Sequence, residues 1–319
     1  MSTPNYRIGL LGASRIAPKA VIQPALRRND CTIAVIACRD VARGRDYARE
    51  HGVAEAEVVG SYQELCERDD IDIIYNALPP SLHLETARWA AGKAQLIEKP
   101  FAPSADEARE IAALPGTIME AFHHRYHPAF GVFLQRVKAL GPLTRMKGRF
   151  HVSIPNRPGE LRYIPELGGG AMGDLGTYPL QIARSVAGVE PTVVASKVVR
   201  GDTGVDVAVK AELDFAGIAA TVSCDMREGV ERVNVFEVEG ERGTVRFDNP
   251  VHPYRGCTIT APDGVDTNEG HPRWSEVTTY DAQLAHLLLC LGMGTEPLTS
   301  ARDAVRHAEA IGAVMAAGG

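Results

Sequence analysis

The first third of the chain alternates short apolar runs with longer amphipathic stretches. The apolar runs have the length and composition of buried strands, and the stretches between them have the spacing of helices. Strands that alternate with helices in this way indicate βαβ units, a parallel sheet and right-handed crossovers. The pattern predicts an α/β domain over residues 1–121. Its predicted strands are Arg7–Leu11, Thr32–Cys38, Val58–Val59, Ile71–Ala77, Gln95–Ile97 and Thr117–Ala121. Its predicted helices are Ile16–Arg28, Val41–His51, one that begins at Ser61, Leu82–Gly92 and Ser104–Leu114.

The pattern changes after about residue 122, where longer strands follow one another with short turns between them. Several alternate apolar and polar positions, as Val207 and Val209 do against Lys210 and Glu212. Such strands indicate an antiparallel sheet with one covered face. The predicted strands are Met146–Ile154, Thr192–Arg200, Val205–Phe215, Ile218–Asp225, Val233–Glu239 and Gly243–Phe247. Helices at Leu175–Ala187, Thr279–Cys290 and Ser300–Ala316 are expected to cover the sheet. Residues 122–319 are therefore predicted to form an α+β domain.

Composition narrows the class of protein. The chain has 319 residues and a net charge of -6, which gives no indication of nucleic-acid binding. Its six cysteines include no C-x-x-C pair, which argues against a structural zinc site and fits a reducing compartment. Met1–Tyr6 lacks the features of a signal peptide, and no apolar run approaches the roughly twenty residues of a membrane helix. We expect a soluble, cytoplasmic protein that binds neither membranes nor metal.

The turn between the first strand and the first helix is rich in small residues. It runs from Gly9 through Gly12, Ser14 and Arg15 to Ile16 and Ala17. A dinucleotide-binding turn uses small residues so that backbone N–H groups and the helix amino terminus reach a pyrophosphate. The middle glycine of the usual G-x-G-x-x-G/A pattern is replaced by Ser14, whose hydroxyl could meet a phosphate oxygen. A tight strand-to-helix turn without a ligand is the alternative; the position in the chain favours a dinucleotide.

The end of the second strand bears on the choice of cofactor. An NAD site normally has an acidic residue there for the ribose hydroxyls, but this chain has Arg39 followed by Asp40. Arg39 could pair with a 2′-phosphate, with Arg15 nearby. These residues favour NADP, while Asp40 keeps NAD open.

Two further segments carry reactive side chains. Glu98-Lys99-Pro100 follows the apolar strand Gln95–Ile97, at the edge of a parallel sheet where ligands collect. Asp174 and Tyr178 follow a run of glycines, Gly168–Gly170, and are four residues apart. On a helix that begins near Asp174 they would share one face, about 6 Å apart. An N-cap role for Asp174 and a packing role for Tyr178 are the alternative to a proton relay.

Together these segments resemble the glucose–fructose oxidoreductase, inositol dehydrogenase and MocA family (Gfo/Idh/MocA) over essentially the whole chain. The matching blocks are the Gly12 turn, Leu78-Pro79-Pro80-Ser81-Leu82-His83, Glu98-Lys99-Pro100, Glu120–Phe122 with Arg125 and Pro128, and Gly168–Tyr178. The resemblance implies a Rossmann domain followed by a domain with an open, mostly antiparallel sheet. It also implies a homodimer or homotetramer that associates through that sheet.

The resemblance also implies roles for individual residues. Lys99 would contact the nicotinamide ribose and the reacting hydroxyl, Asp174 would hold the substrate, and Tyr178 would be the acid/base. A tyrosine at that position, with Ser14 and Arg39, resembles the branch that contains glucose–fructose oxidoreductase, dimeric dihydrodiol dehydrogenase and D-xylose dehydrogenase. The cofactor-binding residues are then expected to be Gly9, Gly12, Ser14, Arg15, Ile16, Ala17, Arg39, Leu78, Pro79, His83, Glu98 and Lys99.

The expected activity is hydride transfer between NADP, or NAD, and a secondary alcohol or hemiacetal of a sugar, polyol or dihydrodiol. One alternative is a regulator that binds NAD(P) without chemistry. Another is an enzyme whose tightly held cofactor supports elimination or epimerisation. His123, His124, Arg125 and His127 cluster at the predicted domain junction, but their spacing matches no zinc pattern.

Overall fold

The computed structural model describes residues 5–319, which form two compact units. The first unit contains the described residues up to Phe122 together with Tyr280–Val305, and the second contains His123–Thr279 and Arg306–Gly319. The predicted domains were contiguous segments, whereas the first unit also includes a stretch near the carboxyl end. The part of the amino-terminal prediction that concerns residues 1–4 lies outside the described residues.

The first unit is built on a parallel sheet, and the prediction of an α/β fold is confirmed. Within the described chain its strands are Tyr6–Leu11 (β1), Cys31–Ala37 (β2), Glu57–Val59 (β3), Ile73–Asn76 (β4), Ala94–Ile97 (β5) and Ile118–Glu120 (β6). Their order is β3-β2-β1-β4-β5-β6, and every neighbouring pair is parallel. Chain direction across the sheet reverses between β1 and β4, the place where doubly wound sheets bind their ligands, outside the carboxyl ends of the strands.

Helices connect these strands, and short polar side chains begin several of them. They are Gln23–Leu26 (α1), Val41–Glu50 (α2), Tyr62–Cys66 (α3), His83–Trp89 (α4) and Ala105–Ala112 (α5). Asp40, Ser61 and Ser104 each accept the backbone N–H of the residue three positions on, which satisfies an amide that the helix itself leaves open.

The first predicted helix is not continuous. A π-helical turn, Pro18–Ile22, precedes α1, and the N–H of Gln23 donates to the carbonyl of Pro18, five residues back. Pro24 has no N–H and cannot form the usual bond to the carbonyl four residues before it, so regular α-helical bonding is interrupted here.

The second unit is built on a mostly antiparallel sheet, as predicted. Among the described residues its strands are Leu143–His151 (β7), Thr192–Arg200 (β8), Asp206–Phe215 (β9), Ile218–Asp225 (β10), Val233–Gly240 (β11), Gly243–Asp248 (β12), Thr258–Ala261 (β13) and Gly264–Thr267 (β14). Their order is β14-β13-β12-β11-β7-β10-β9-β8. The β7–β10 pair is parallel and the other neighbouring pairs are antiparallel. The short strands β13 and β14 were not predicted.

The helices of the second unit include one that was missed. Pro128–Ala139 (α6) begins with His127 as its N-cap and Pro128 in its first turn, two start signals that were present in the sequence. The others are Thr177–Ala187 (α7) and the short Arg273–Glu276 (α8). A helix at Thr279–Cys290 was expected to cover the second sheet. The helix that forms is Thr279–Met293 (α9), of which Tyr280–Met293 belongs to the first unit. Ala301–Ala317 (α10) is divided between the units at Val305 and Arg306.

Helix α7 lies against β7 at a position where the strand has no side chain. A Cβ atom at Gly148 would lie 2.6 Å from Cβ of Pro179 and 2.8 Å from Cδ2 of Phe236. Real Cβ atoms do not approach other atoms so closely, so Gly148 sets the distance between the sheet and the start of α7. Tyr178 is the residue before Pro179, and its position depends on this contact.

Replacing Gly148 with alanine should therefore destabilise the second unit by about 1–3 kcal/mol, as overpacking of a core usually does. Gly131→Ala is the matched control. Gly131 lies in α6, and no atom other than its own helix backbone and neighbours comes within 4 Å of a Cβ built there, so alanine should be neutral or stabilise the helix. Denaturant unfolding followed by circular dichroism measures both. Equal midpoints for Gly148→Ala and the wild type would contradict the packing account.

Candidate active site

The glycine turn after β1 needs glycine for two different reasons. Gly12 has a φ of +85°, and its N–H donates to the carbonyl of Ala37 at 2.9 Å. A side chain there would be strained, and its Cβ would also lie 3.0 Å from Cδ2 of Leu78. Gly9 is different: a Cβ there would lie 2.5 Å from Cδ2 of Leu65, so this residue serves packing inside the unit.

Ser14 makes contacts that hold the turn in place. Its Oγ accepts the N–H of Ala17 at 3.2 Å, and its carbonyl accepts the hydroxyl of Tyr47 at 2.8 Å. The serine therefore holds the N–H of Ala17, the residue before the π-helical turn, while its own hydroxyl hydrogen remains able to meet an acceptor. Arg15 is exposed, Ile16 is partly buried and Ala17 is buried.

A cavity of about 390 Å³ opens beside this turn. Its lining residues come from the turn and from α2: Ala13, Ser14, Arg15, Pro18, Arg43, Asp46, Tyr47, Glu50 and His51. Arg39, predicted to bind a 2′-phosphate, is exposed and is not among them. Arg43 does line the cavity. It was not predicted, although it follows Arg39 by four positions. Asp40 caps α2 through the N–H of Arg43, so one of its carboxylate oxygens is already used.

The segment after β4 carries Leu78, Pro79 and His83. His83 is completely buried; its Nδ1 lies 3.1 Å from the carbonyl oxygen of Phe101 and its Nε2 lies 2.9 Å from that of Leu78. Burial lowers the pKa of His83. A neutral imidazole donates to one of these carbonyls and contacts the other. His83 therefore links two loops through its ring nitrogens, and the cofactor contact expected of it stays a prediction.

Glu98 and Lys99 follow β5, and Glu98 is held by its neighbours. Its Oε1 accepts the hydroxyl of the buried Tyr75 at 2.8 Å, and its N–H donates to the carbonyl of Asn76 at 2.9 Å. The Lys99–Pro100 peptide is cis, and Lys99 is partly buried. Tyr75 was not identified from the sequence. Its hydroxyl orients Glu98 and so the backbone that carries Lys99.

Asp174 lies in a π-helical turn, Met172–Gly176, that precedes α7. The N–H of Thr177 donates to the carbonyl of Met172, five residues back. A single α-helix from Asp174 to Ala187, on which Asp174 and Tyr178 would be four residues apart on one face, is therefore not what forms. Pro179 lacks the N–H that would continue regular bonding, and π turns are frequent at functional sites.

The Asp174 carboxylate bonds to an arginine and does not act as an N-cap. Its Oδ2 accepts Nε–H of Arg162 at 2.5 Å, and Nη1 of Arg162 donates to Oε1 of Glu160 at 2.8 Å. Burial alone would lower the pKa of Arg162, but the charge and hydrogen bond of Asp174, with those of Glu160, raise it. Arg162 was not predicted; it belongs to the loop before the glycines.

The backbone of this segment is anchored by Asp206. Its Oδ2 accepts the N–H of Met172 at 2.6 Å, and a Cβ at Gly170 would lie 2.2 Å from its Oδ1. Gly170 also has a φ of +134°. Glycine at 170 therefore lets a buried carboxylate approach the backbone that carries Asp174 and Tyr178.

Tyr178 is buried, with 5% of its surface exposed, among side chains from distant parts of the second unit. Its hydroxyl lies 3.3 Å from Nε2 of His123. Nearby, His124 Nε2 lies 3.1 Å from Oε1 of Gln181, and His307 Nε2 lies 2.8 Å from Oγ1 of Thr177. His123 and His124 were recognised only as part of a histidine cluster, and His307 was not identified, because nothing in the sequence links these positions to α7.

Comparison with known proteins completes the description. Residues 6–116 match the model of an oxidoreductase family with an NAD-binding Rossmann fold, and residues 134–246 match the Gfo/Idh/MocA C-terminal domain. A dTDP-3,4-didehydro-2,6-dideoxy-alpha-D-glucose 3-reductase of Streptomyces antibioticus is 31% identical over 99% of this chain and 98% of its own. The chain belongs to the Gfo/Idh/MocA oxidoreductase family. Its first unit is the family's NAD(P)-binding Rossmann domain.

Other members of the Gfo/Idh/MocA family are similar over most of their length. An NADP-dependent D-xylose 1-dehydrogenase of Haloferax volcanii is 35% identical over 80% of this chain and 81% of its own. The solved structure of a 3-ketoreductase from Actinomadura kijaniata, in complex with NADP and TDP-benzene, has a TM-score of 0.84 at 23% identity and covers 98% of both chains. This last likeness supports the fold alone.

In the described part of the chain, His, Cys, Asp and Glu side chains form no group of three or more that could hold a metal ion. The helices between residues 5 and 319 include none with the length and apolar character needed to cross a membrane.

The pH dependence of stability tests the buried histidines around α7. Burial lowers the pKa of His307 well below 6.5, so protonation favours the unfolded chain. The stability that His307 contributes is present above about pH 6.5 and is lost as the pH falls, at up to about 1.4 kcal/mol per pH unit. His307→Gln, whose amide can still bond to Thr177, should therefore make the melting temperature fall less between pH 7 and pH 5.

The control for this measurement is His51→Gln, at the partly exposed end of α2. Thermal unfolding of the wild type and both variants at each pH gives the comparison. If the His307→Gln and wild-type melting temperatures fell in parallel, His307 would not be the neutral, buried group described above.

Proposed function

We propose that this protein is an NADP-dependent oxidoreductase that acts on a secondary alcohol or hemiacetal of a sugar, a polyol or a dihydrodiol. The observation that carries the proposal is the buried phenol of Tyr178, at the start of α7. Its hydroxyl lies within hydrogen-bond distance of Nε2 of His123, and the chain belongs to this oxidoreductase family. Relatives support the substrate class: they include a D-xylose dehydrogenase and, in Sus scrofa, a trans-1,2-dihydrobenzene-1,2-diol dehydrogenase.

The first unit has features that fit a dinucleotide. Gly12 leaves the turn without a side chain, Ser14 holds the N–H of Ala17, and the neighbouring cavity contains Arg15 and Arg43. Backbone N–H groups and arginines are the usual partners of phosphates. When bound, the nicotinamide would supply the hydride acceptor or donor, and the protein's residues would supply position and proton transfer.

In the direction of oxidation, Tyr178 takes the proton of the substrate hydroxyl as the carbon loses its hydride. Lys99, which follows β5, is the proposed residue that contacts the reacting hydroxyl and orients the nicotinamide ribose. Asp174 holds the substrate together with Arg162, because its carboxylate already has one oxygen on that guanidinium. A substrate hydroxyl can accept from the guanidinium of Arg162 or donate to the carboxylate of Asp174, so the pair offers both kinds of hydrogen bond.

NADP is the proposed cofactor. Arg15, Arg39 and Arg43 concentrate positive charge around the glycine turn and the amino end of α2, as a 2′-phosphate requires. Asp40 is the residue that left NAD as an alternative cofactor. One of its carboxylate oxygens already accepts the N–H of Arg43 as the cap of α2, which argues against a contact with the cofactor ribose.

The second sheet is the proposed surface for a homodimer or homotetramer. Its strand β9 buries Val209, Ala211 and Leu213 while Lys210 and Glu212 are exposed, so one face of the strand remains available. The proposed compartment is the cytoplasm, in keeping with the free thiols of the cysteines.

Replacing the proposed proton-transfer residues tests the activity. Tyr178→Phe and Lys99→Ala should each lower kcat by about a hundredfold or more, in the range that acid–base catalysis contributes. Both variants should still bind NADP, since the glycine turn and the arginines are unchanged. Calorimetry for cofactor binding and absorbance at the nicotinamide band, with a panel of aldoses, polyols and dihydrodiols, provide the measurements. Near-normal kcat in both variants would contradict the assignment.

Cofactor choice is tested separately. Arg43→Ala should weaken NADP binding about tenfold or more, because a charge-assisted hydrogen bond is lost, and should leave NAD binding within about threefold. Arg39→Ala should act in the same direction. Arg45→Ala is the matched control, since this exposed arginine lies on the same helix but does not line the cavity. Equal losses for NADP and NAD would show that these arginines do not recognise the 2′-phosphate.

A further inference from the structure

His123 connects the hydroxyl of Tyr178 to a second hydroxyl in the interior of the second unit. Its Nε2 lies 3.3 Å from Oη of Tyr178, and its Nδ1 lies 2.9 Å from Oγ1 of Thr279. His123 has 2% of its surface exposed and Thr279 has none. The bond to Tyr178 is at the long end of the range, as hydrogen bonds of catalytic groups often are in the absence of substrate. The hydroxyl of Tyr178, the imidazole of His123 and the hydroxyl of Thr279 are therefore joined by two hydrogen bonds.

One tautomer of the imidazole makes Nε2 the acceptor of the Tyr178 hydroxyl. If Nδ1–H donates to Thr279, then Nε2 carries the lone pair and accepts the hydroxyl hydrogen of Tyr178. This tautomer gives each of the two contacts one donor and one acceptor. It also directs the Tyr178 proton at a basic nitrogen.

We propose that His123 is the proton partner of Tyr178. The proposal rests on the function proposed above and adds a positioning residue to it. During oxidation the phenol oxygen forms a bond to the substrate's hydroxyl proton while its own O–H bond breaks and that proton passes to Nε2 of His123. The phenol stays neutral and the imidazole becomes an imidazolium. The electron pair of the substrate O–H bond forms the second C–O bond, while the C–H bond breaks and its pair leaves as the hydride that the proposed nicotinamide would accept. In reduction the same protons move in reverse.

The surroundings of His123 explain why this histidine, and not its neighbour, is assigned. The titratable rings that face it within the second unit are those of Tyr178, His124 and His252, with centroids between 5.4 and 6.2 Å away. His124 also packs against the ring of Tyr178, but its Nε2 bonds to Gln181. The two adjacent histidines thus differ in the partner that each Nε2 meets.

The first test uses the protein without cofactor, so it does not depend on turnover. Nitrogen NMR of the full chain with labelled histidine distinguishes a protonated from an unprotonated ring nitrogen, and His123→Asn assigns the signal among the ten histidines. We expect Nε2 of His123 to be unprotonated near pH 8 and to shift in Tyr178→Phe. A protonated Nε2, or a signal that Tyr178→Phe leaves unchanged, would overturn the proposal even if Tyr178 proves essential.

The second test separates proton transfer from hydrogen bonding. His123→Gln places an amide near Nε2 that can accept the Tyr178 hydroxyl but cannot carry its proton. We expect kcat to fall about tenfold or more in His123→Gln and His123→Asn, with KM and NADP affinity within about threefold, and the pH profile of kcat to change shape. His124→Gln should keep kcat within about threefold and the wild-type profile. Wild-type kcat and profile in His123→Gln would overturn the proposal, and circular dichroism confirms that each variant is folded.

Discussion

Burial of the polar side chains on α7 is the constraint on which the rest of the second unit depends. Residues 177–184 are all buried, and they include Thr177, Tyr178, Gln181 and Arg184. A buried polar group without a partner costs about 1–3 kcal/mol, so each requires one from elsewhere in the unit. His307, His123 and His124 supply three of those partners, and Glu190 pairs with Arg184. The chemistry of Tyr178 is thus a consequence of how this helix is accommodated.

The same helix also explains the glycines around it. Gly148 admits Pro179 to the surface of the sheet, and Gly170 admits Asp206 to the backbone of the preceding turn. The π turn shows how the chain adapts where Pro179 withholds a backbone donor. Tyr178 is fixed by the packing of its helix against the sheet and by its contact with His123. A group fixed in this way loses little conformational entropy when a substrate binds. Hydride transfer depends mainly on precise placement of the reacting groups.

The parts of the fold that could be predicted are those encoded locally. Apolar runs separated by helical patterns predicted the parallel sheet, and small residues after β1 predicted the turn at Gly12. The Ser61 and Ser104 caps are also local signals. Arg43 could have been found in the same way, because it lies one helical turn beyond Arg39. His127 and Pro128 were also local signals, for the start of α6, and they were not recognised as such.

The contacts of the site are different, because they join residues far apart in the chain. His123 and Thr279 are separated by 156 positions, and Thr177 and His307 by 130. Arg162 lies only 12 positions from Asp174, yet the pair depends on the path of the intervening loop. Spacing alone suggested that Asp174 and Tyr178 lie on one regular α-helix; the π turn at Met172–Gly176 and the missing N–H of Pro179 interrupt that helix.

The central claim is that this protein transfers a hydride to or from a carbon that bears a hydroxyl, with the proton handled by Tyr178. The most direct measurement is the fate of deuterium carried at both C4 positions of the nicotinamide of NADPH in reactions with keto-sugars and sugar lactones. The account predicts a product with one deuterium, bound to the new carbinol carbon, as seen by mass spectrometry and NMR. Cofactor that stays unoxidised with every such substrate, or a product without that deuterium, would contradict it.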